Sequence, residues 1–393
     1  MHSSRWAQAV MSMGFLWFVV AIAFAPTNKI YQQGLVALLW LPTIALAWSG
    51  RECLGTFWRE QRALCVALVL LALWASLSLV WSATDDGSRE LKRMLYIAVF
   101  ILFFPILAAG RTDNVVRLLQ LGGVGLGVAS AYSLYRYYGF LHAPWFLRLE
   151  GIGELSHPIL GAYVIGVALV WSLLLPPQRR LSQVIWLCSL LLCLAFVVMS
   201  QSRGALLALA LTVALLPLWW RDRRAWIFSG TVLVLGVIGL IVFQSLMTDR
   251  GSSYRPEIFG AVLQMIELHP LKGLGIGTNY SVTIADGQVF DHSHNLFTHT
   301  TILLGLPGLV LWSVVWLLVL REAWLARSTA LGRCMMGVWT FSTCAMQFDA
   351  ASLTGSPRAE WFISWLPIGL ACVLVWARAP RHAVVKSRVQ FNQ

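Results

Sequence analysis

The strongest constraint on this chain is its succession of apolar stretches, each about as long as a bilayer-crossing helix and parted from the next by a short polar gap. A hydrocarbon core of about 30 Å needs about 20 helical residues, and roughly twelve windows of that size fit the sequence. They fall near 7–25, 33–49, 63–82, 94–109, 118–135, 159–175, 184–200, 205–220, 225–243, 299–320, 334–349 and 361–376. Hydrocarbon offers no partner to a backbone amide, so each stretch must satisfy its own hydrogen bonds as a helix. The expected fold is therefore all-α, a polytopic integral membrane protein. A mean hydropathy of +0.72 with 12% charged residues excludes a water-soluble globule. By this reading residues 1–243 hold the first nine helices, 244–298 form one large extramembrane loop, 299–376 hold the last three helices, and 377–393 are a basic tail.

The formal net charge of +12 could indicate nucleic-acid binding, but its distribution does not. Alternate connecting segments are basic, from Arg5 through Arg51, Arg59 and Arg62 to the tail with Arg378, Arg381, Lys386 and Arg388. Those segments hold eighteen of the 29 Lys and Arg but five of the 17 acids, a local net charge of +13 against −1 on the other side. Short basic loops stay in the cytoplasm, so both termini are expected inside, with an even number of spans and residues 244–298 outside. The seven cysteines lie mostly within or beside apolar stretches and form no CxxC pair, so no zinc ribbon or disulfide framework is expected. The first apolar run lacks a small-x-small cleavage site and reads as a retained helix.

Polar residues that interrupt this pattern carry the candidate chemistry. Asp85-Asp86 precedes Arg89, Lys92 and Arg93; it is either a solvated turn that starts a helix with Ser88 as N-cap, or an acidic pair for a metal. Gly122, Gly123, Gly125 and Gly127 allow close helix packing. The loop from Arg136 to His157-Pro158, rich in aromatic residues, suits an interfacial belt or a sugar-stacking surface. Arg203, in Ser202-Arg203-Gly204, has apolar sequence on both sides and almost no loop; it either snorkels to the surface or meets an anion, for which a guanidinium is well shaped.

In the long loop, Pro256 with Ile258, Phe259, Val262, Leu263 and Ile266 predicts an amphipathic helix ending near His269, lying on the bilayer or over the spans. Arg255 would stand at its N-terminus, an end that favours anions. Gly273, Gly275 and Gly277 follow, as a plain turn or as a loop presenting amides to a ligand. Then His292, His294 and His299 crowd around Asn295. Three roles are open to these histidines: zinc binding through His-x-His, a structural or pH-sensing role, and general-base catalysis, for which imidazole is suited near neutral pH.

Taken together, Ser202-Arg203-Gly204, Arg255 with Ile258 and Phe259, His269-Pro270-Leu271 with Gly273 and Gly275, and His294-Asn295 followed after nine residues by Gly305-Leu306-Pro307-Gly308 resemble the lipopolysaccharide O-antigen ligases. That family belongs to a superfamily with O-antigen polymerases and O-linked oligosaccharyltransferases. The matching motifs span about 200–308. Phe259 departs from the pattern, since relatives commonly have tryptophan there.

The resemblance implies a GT-C-like glycosyltransferase of the bacterial inner membrane with its active site facing the periplasm. It would move O-antigen polysaccharide from undecaprenyl diphosphate to a sugar hydroxyl of the lipid A-core oligosaccharide. His294 would be the base, Arg203 and Arg255 would bind the diphosphate, and His292 and Asn295 would support them. With no Asp-x-Asp motif outside the membrane, neither a metal nor another cofactor is expected, and nucleic acid is not an expected partner. The alternatives are a polymerase using the same donor and, from another class, a lipid-linked glycan transporter. The latter should show an internal repeat and broken segments in both halves, which the sequence lacks.

Overall fold

The computed structural model describes residues 5–242, 254–350 and 352–378. Residues 244–253 of the expected outer loop and 379–393 of the expected basic tail lie outside the described residues. The chain begins with α1 (Arg5–Phe24), followed by α2 (Asn28–Leu35) and α3 (Leu41–Leu46), which are joined through a π-helical turn. A bend of 85° leads to α4 (Arg51–Glu60), and then come α5 (Arg62–Leu77) and α6 (Gly87–Ala108). After these the chain runs through α7 (Asp113–Leu134), α8 (Pro158–Leu174), α9 (Arg180–Met199), α10 (Arg203–Trp219) and α11 (Arg223–Val242). The last four are α12 (Arg255–Leu268), α13 (Leu296–Leu325), α14 (Ala330–Ala345) and α15 (Trp365–Arg378). Among the described residues the β structure is one two-residue pair, Val282–Thr283 against Val289–Phe290.

Every expected apolar stretch falls on helix, and the chain is an all-α, multi-pass membrane protein. By length and composition alone, 7 helices among the described residues can cross a membrane, or 8 if the bent pair is one span. Others are shorter, such as α8 and α10 at 17 residues each. Burial separates the helices that face lipid from those at the centre. On α9, Leu181 is 75% and Val184 61% exposed, a surface that only hydrocarbon would tolerate. By contrast α8, α14 and α15 are buried along most of their length. The α7 glycines are where neighbours come closest: a Cβ at Gly122 would stand 2.8 Å from Val19 on α1, and one at Gly127 2.5 Å from Ser189 on α9. At the start of α6 the cap is Asp86 rather than Ser88. Its Oδ1 accepts from Arg89 N at 2.9 Å and from Ser88 Oγ at 2.8 Å, and its other oxygen pairs with Arg89.

Helix α13 is broken. Gly305 has φ 67° and ψ −174°, and Pro307 two residues later has no amide to donate. The carbonyls freed by this break are satisfied from elsewhere. Leu274 N donates to Ile302 O and Gly275 N to Leu303 O, each at 2.8 Å, while Trp74 Nε1 donates to Leu304 O at 2.8 Å. In return Leu306 N donates to Pro270 O at 2.7 Å. The segment from Pro270 to Gly277 is thus a backbone clasp on a discontinuous helix, which explains its glycines. Gly273, Gly275 and Gly277 all have positive φ, and a Cβ on Gly273 would lie 2.5 Å from Leu303.

The bundle gathers its loops at two ends. At one end the 78–84 segment meets 272–278, Arg148 reaches Ser200, Glu154 faces Arg358, and Asn295 meets Gln347. At the other, buried Glu322 accepts from Gln61 Nε2 at 3.0 Å and from Arg321 Nη1 at 2.8 Å, and pairs with Arg378. Gln8 meets Asn114 there as well. Each end collects the segments that charge had assigned to one side of the membrane.

Candidate active site

The site lies at the first of these ends, where α10, α12 and α13 begin and α14 finishes. Asn295 caps α13: its Oδ1 accepts from Phe297 N (2.9 Å) and Thr298 N (3.2 Å), and its Nδ2 donates to Gln347 Oε1 (2.8 Å). With Leu296 N bonded to Met346 O at 2.9 Å, this cap ties the histidine segment to the turn after α14. That turn carries Phe348 and Asp349.

Asp349 is the residue that sequence reasoning missed, and it organises the site. Its side chain is only 6% exposed, and its Oδ1 accepts from His292 Nε2 at 3.2 Å and from His294 Nδ1 at 3.3 Å. Burial pushes the Asp349 carboxyl up, but the two imidazole hydrogen bonds and their charge outweigh it and hold the group well below the usual carboxylate range. An ionised carboxylate only accepts, so the protons sit on the two nitrogens that face it.

The two histidines, whose ring centroids are 4.0 Å apart, are held differently. His292 is held at both nitrogens, because its Nδ1 also bonds Asp291 Oδ1 at 2.7 Å. Burial lowers its pKa, but Asp349 and then Asp291 more than compensate, so it is raised above the ordinary imidazole value and favours imidazolium. His294 is bonded through Nδ1 alone among the described residues, which leaves the Nε2 lone pair open on a side chain 26% exposed. Of the two, only His294 can take a proton without first losing a partner. The third histidine, His299, is buried on α13 with Nδ1 2.8 Å from the Tyr280 hydroxyl and serves packing.

Both arginines occupy the first position of a helix. Arg255 opens α12 and places its guanidinium over the Phe348 ring, 5.4 Å from the centroid. Arg203 opens α10 after the cap Ser202, which accepts from Ala205 N at 3.4 Å. Gly204 packs so tightly that a Cβ there would lie 3.1 Å from Phe348 and 2.6 Å from the Tyr163 hydroxyl. Phe348 is therefore the common neighbour of both arginine segments, one residue from the carboxylate that holds both histidines. The Arg255 guanidinium and the N-termini of α10 and α12 thus stand near Phe348 and the two histidines, and helix N-termini favour anions.

Local backbone strain marks the same three places. Among the described residues five non-glycine residues have positive φ, and three of them are His294 (51°), Tyr254 (56°) just before Arg255, and Gln201 (49°) just before Ser202-Arg203.

Of the sequence candidates, the structure brings His292, His294, Asn295 and Arg255 together around the turn after α14 and sets the Arg203 segment against the same turn. Asp85-Asp86 does not join them, and Asp86 is engaged as a helix cap. A metal set is also present: Asp291, His292 and His294 each offer a ligand atom, all within 4.8 Å of one another. Two of those residues are already bonded to carboxylates through ring nitrogens at 2.7–3.3 Å.

Residues 188–313 match the O-antigen ligase family. The chain is also 26% identical over 374 residues to the O-antigen ligase of Pseudomonas aeruginosa, an alignment covering 94% of this chain and 91% of that protein. In both comparisons the chain is similar to O-antigen ligases. It is accordingly a glycosyltransferase-type enzyme, and the matched region runs from α9 through the broken part of α13.

Proposed function

We propose that this protein transfers an O-antigen polysaccharide from undecaprenyl diphosphate to a sugar hydroxyl of the lipid A-core oligosaccharide at the periplasmic face of the inner membrane, with both termini cytoplasmic. The observation that carries the reading is the pairing of one half-free histidine, oriented by a buried carboxylate, with two arginines at helix N-termini around Phe348.

In the reaction the acceptor O–H gives its proton to His294 Nε2 while its oxygen bonds the anomeric carbon of the donor sugar. The bond from that carbon to the diphosphate oxygen breaks, and its electron pair leaves with undecaprenyl diphosphate. Arg203 and Arg255 meet the charge that grows there, fixed donors of the kind that stabilise a transition state more than a ground state. Asp349 supports the imidazolium that forms, and a single displacement inverts the anomeric centre. His292, locked between two carboxylates, holds the same Asp349 oxygen in place. The arginines take the role a divalent ion plays elsewhere, so turnover is metal-independent.

The test is transfer by purified protein from lipid-linked glycan to two acceptors, rough lipopolysaccharide and a second lipid-linked glycan, with and without excess EDTA. Product on lipopolysaccharide, unaffected by chelation, is the expected result. Extension of the lipid-linked chain instead would make the protein a polymerase. Loss of activity on chelation, restored by one cation, would assign Asp291, His292 and His294 to a metal.

A further inference from the structure

At the end of the bundle opposite the histidines, α10 finishes, α13 finishes and α14 begins around a cavity of about 400 Å³. Its lining includes three arginines, Arg221, Arg327 and Arg333, together with Trp219. None of the three pairs with a carboxylate among the described residues. Asp222, the one acid in the lining, accepts from the Arg224 backbone instead. Two of the guanidiniums are pinned against aromatic rings, Arg333 over Trp220 at 5.1 Å and Arg327 over Trp324 at 4.4 Å. Their backbone bonds, to Ser328 O at 3.1 Å and Trp324 O at 2.9 Å, fix them further.

A second, independent observation points to a ligand. Trp219 is 5% exposed, and its indole Nε1 is buried without a hydrogen-bond partner among the described residues. An unmet indole N–H is costly, and here it belongs to a residue that lines a cationic cavity. The N-terminus of α14, capped at Thr329, adds its partial positive charge next to Arg333.

From these features we infer that the cavity binds the phosphodiester headgroup of an anionic glycerophospholipid in the leaflet opposite the active site. The choice of a lipid over a soluble phosphate follows from the surroundings. The 17 residues of α10 separate this cavity from Arg203 by about 25 Å, close to the thickness of the hydrocarbon layer, so it sits at headgroup depth. Beside it Leu218 (54% exposed) and Leu325 (47%) face outward and offer apolar surface for acyl chains. Basic pockets between membrane helices on the cytoplasmic side suit such headgroups. The inference concerns binding alone and is independent of the proposed catalytic roles.

The experiment uses full-length, delipidated protein in detergent. It measures retention of phosphatidylglycerol or phosphatidylcholine by native mass spectrometry and the thermal shift each produces. Wild type should retain phosphatidylglycerol preferentially and gain stability from it. Joint Arg221→Gln, Arg327→Gln and Arg333→Gln should weaken that binding about tenfold or more, as loss of charge-assisted bonds to phosphate requires. Trp219→Phe, which removes the N–H together with the five-membered ring of the indole, should weaken it several-fold and serves as the readout where the triple variant does not fold. Arg51→Gln is the remote control and should match wild type. Equal retention of the two lipids, or an unaltered phosphatidylglycerol shift in both variants, would overturn the inference. So would a shift of the same size from glycerol 3-phosphate or inorganic phosphate, because the occupant would then be a small soluble anion.

Discussion

Asp349→Asn is the most informative single substitution, since it keeps the shape of the side chain and removes only its charge. The wild-type carboxylate accepts from His292 at 3.2 Å and His294 at 3.3 Å and cannot donate. An amide can present either its oxygen or its NH2 to His294 Nδ1. In the second orientation the imidazole proton moves to Nε2, and the lone pair needed by the acceptor hydroxyl is gone. The imidazolium formed during transfer would also lose its counter-charge. Loss of a positioned base lowers the rate by about 10²- to 10⁴-fold, which corresponds to about 3–5 kcal/mol of transition-state stabilisation. Stability should fall by about 1–3 kcal/mol, because a buried hydrogen-bonding group is left with weaker partners. The assay is single-turnover transfer from lipid-linked glycan to rough lipopolysaccharide, held below the variant's unfolding temperature, with donor binding measured separately. Donor affinity should be nearly unchanged, because the arginines are untouched. A folded Asp349→Asn protein that transfers at the wild-type rate would refute the dyad outright.

The other predictions bear on the same geometry. His294→Ala should cut transfer by about 10²-fold or more with donor still bound, whereas His292→Ala should give the milder defect; the reverse order in the transfer assay would reassign the base. Arg203→Ala and Arg255→Ala should lose donor affinity and rate together, and lysine should rescue only in part because it cannot make two parallel bonds to a phosphate; equilibrium binding of lipid-linked donor checks this. The raised pKa of His292 means its pairing with Asp349 adds stability fully below about pH 6.5 and loses it as pH rises through the folded value, so the melting-temperature gap between wild type and His292→Ala should narrow from pH 6 to 9. Gly305→Ala forces a side chain into φ 67°, 2.3 Å from Leu271 O, and should cost at least about 1–3 kcal/mol in thermal stability.

How much of this was legible in the sequence depended on what the bilayer enforces. Span length and apolarity are imposed on every crossing residue, so the helices were visible one by one, and so were Arg203 and the histidines as polar exceptions in apolar surroundings. Pro256 and the spacing of Ile258 and Val262 gave α12 for the same kind of reason: a proline in the first turn and a periodic apolar face are local signals. Asp349 was hidden because it stands 55 residues from His294 in the chain, at the end of a stretch whose apolar character fitted a span. A lone carboxylate closing such a stretch was the available signal, since an acid at that depth needs a partner. The glycines at 273, 275 and 277 pointed equally to an amide loop or a turn, because a clasp on another helix requires knowing where that helix breaks.

The left-handed residues carry the argument one step further than any motif does. Gln201 and Tyr254 are not residue types that prefer positive φ, His294 is only somewhat more tolerant of it, and each stands at or within two residues of a proposed functional side chain. Strain of this kind persists only where the surroundings fix it. For Tyr254 the fixing contact is the start of α12, for Gln201 its side-chain bond to Phe146 O at 2.9 Å, and for His294 the Asp349 carboxylate. Relaxing any one of them would rotate the following helix start or the imidazole away from Phe348. Three unfavourable conformations, contributed by segments far apart in the chain and meeting around one side chain, are what a site would retain if the mutual placement of Arg203, Arg255 and His294 mattered more than the stability each conformation costs.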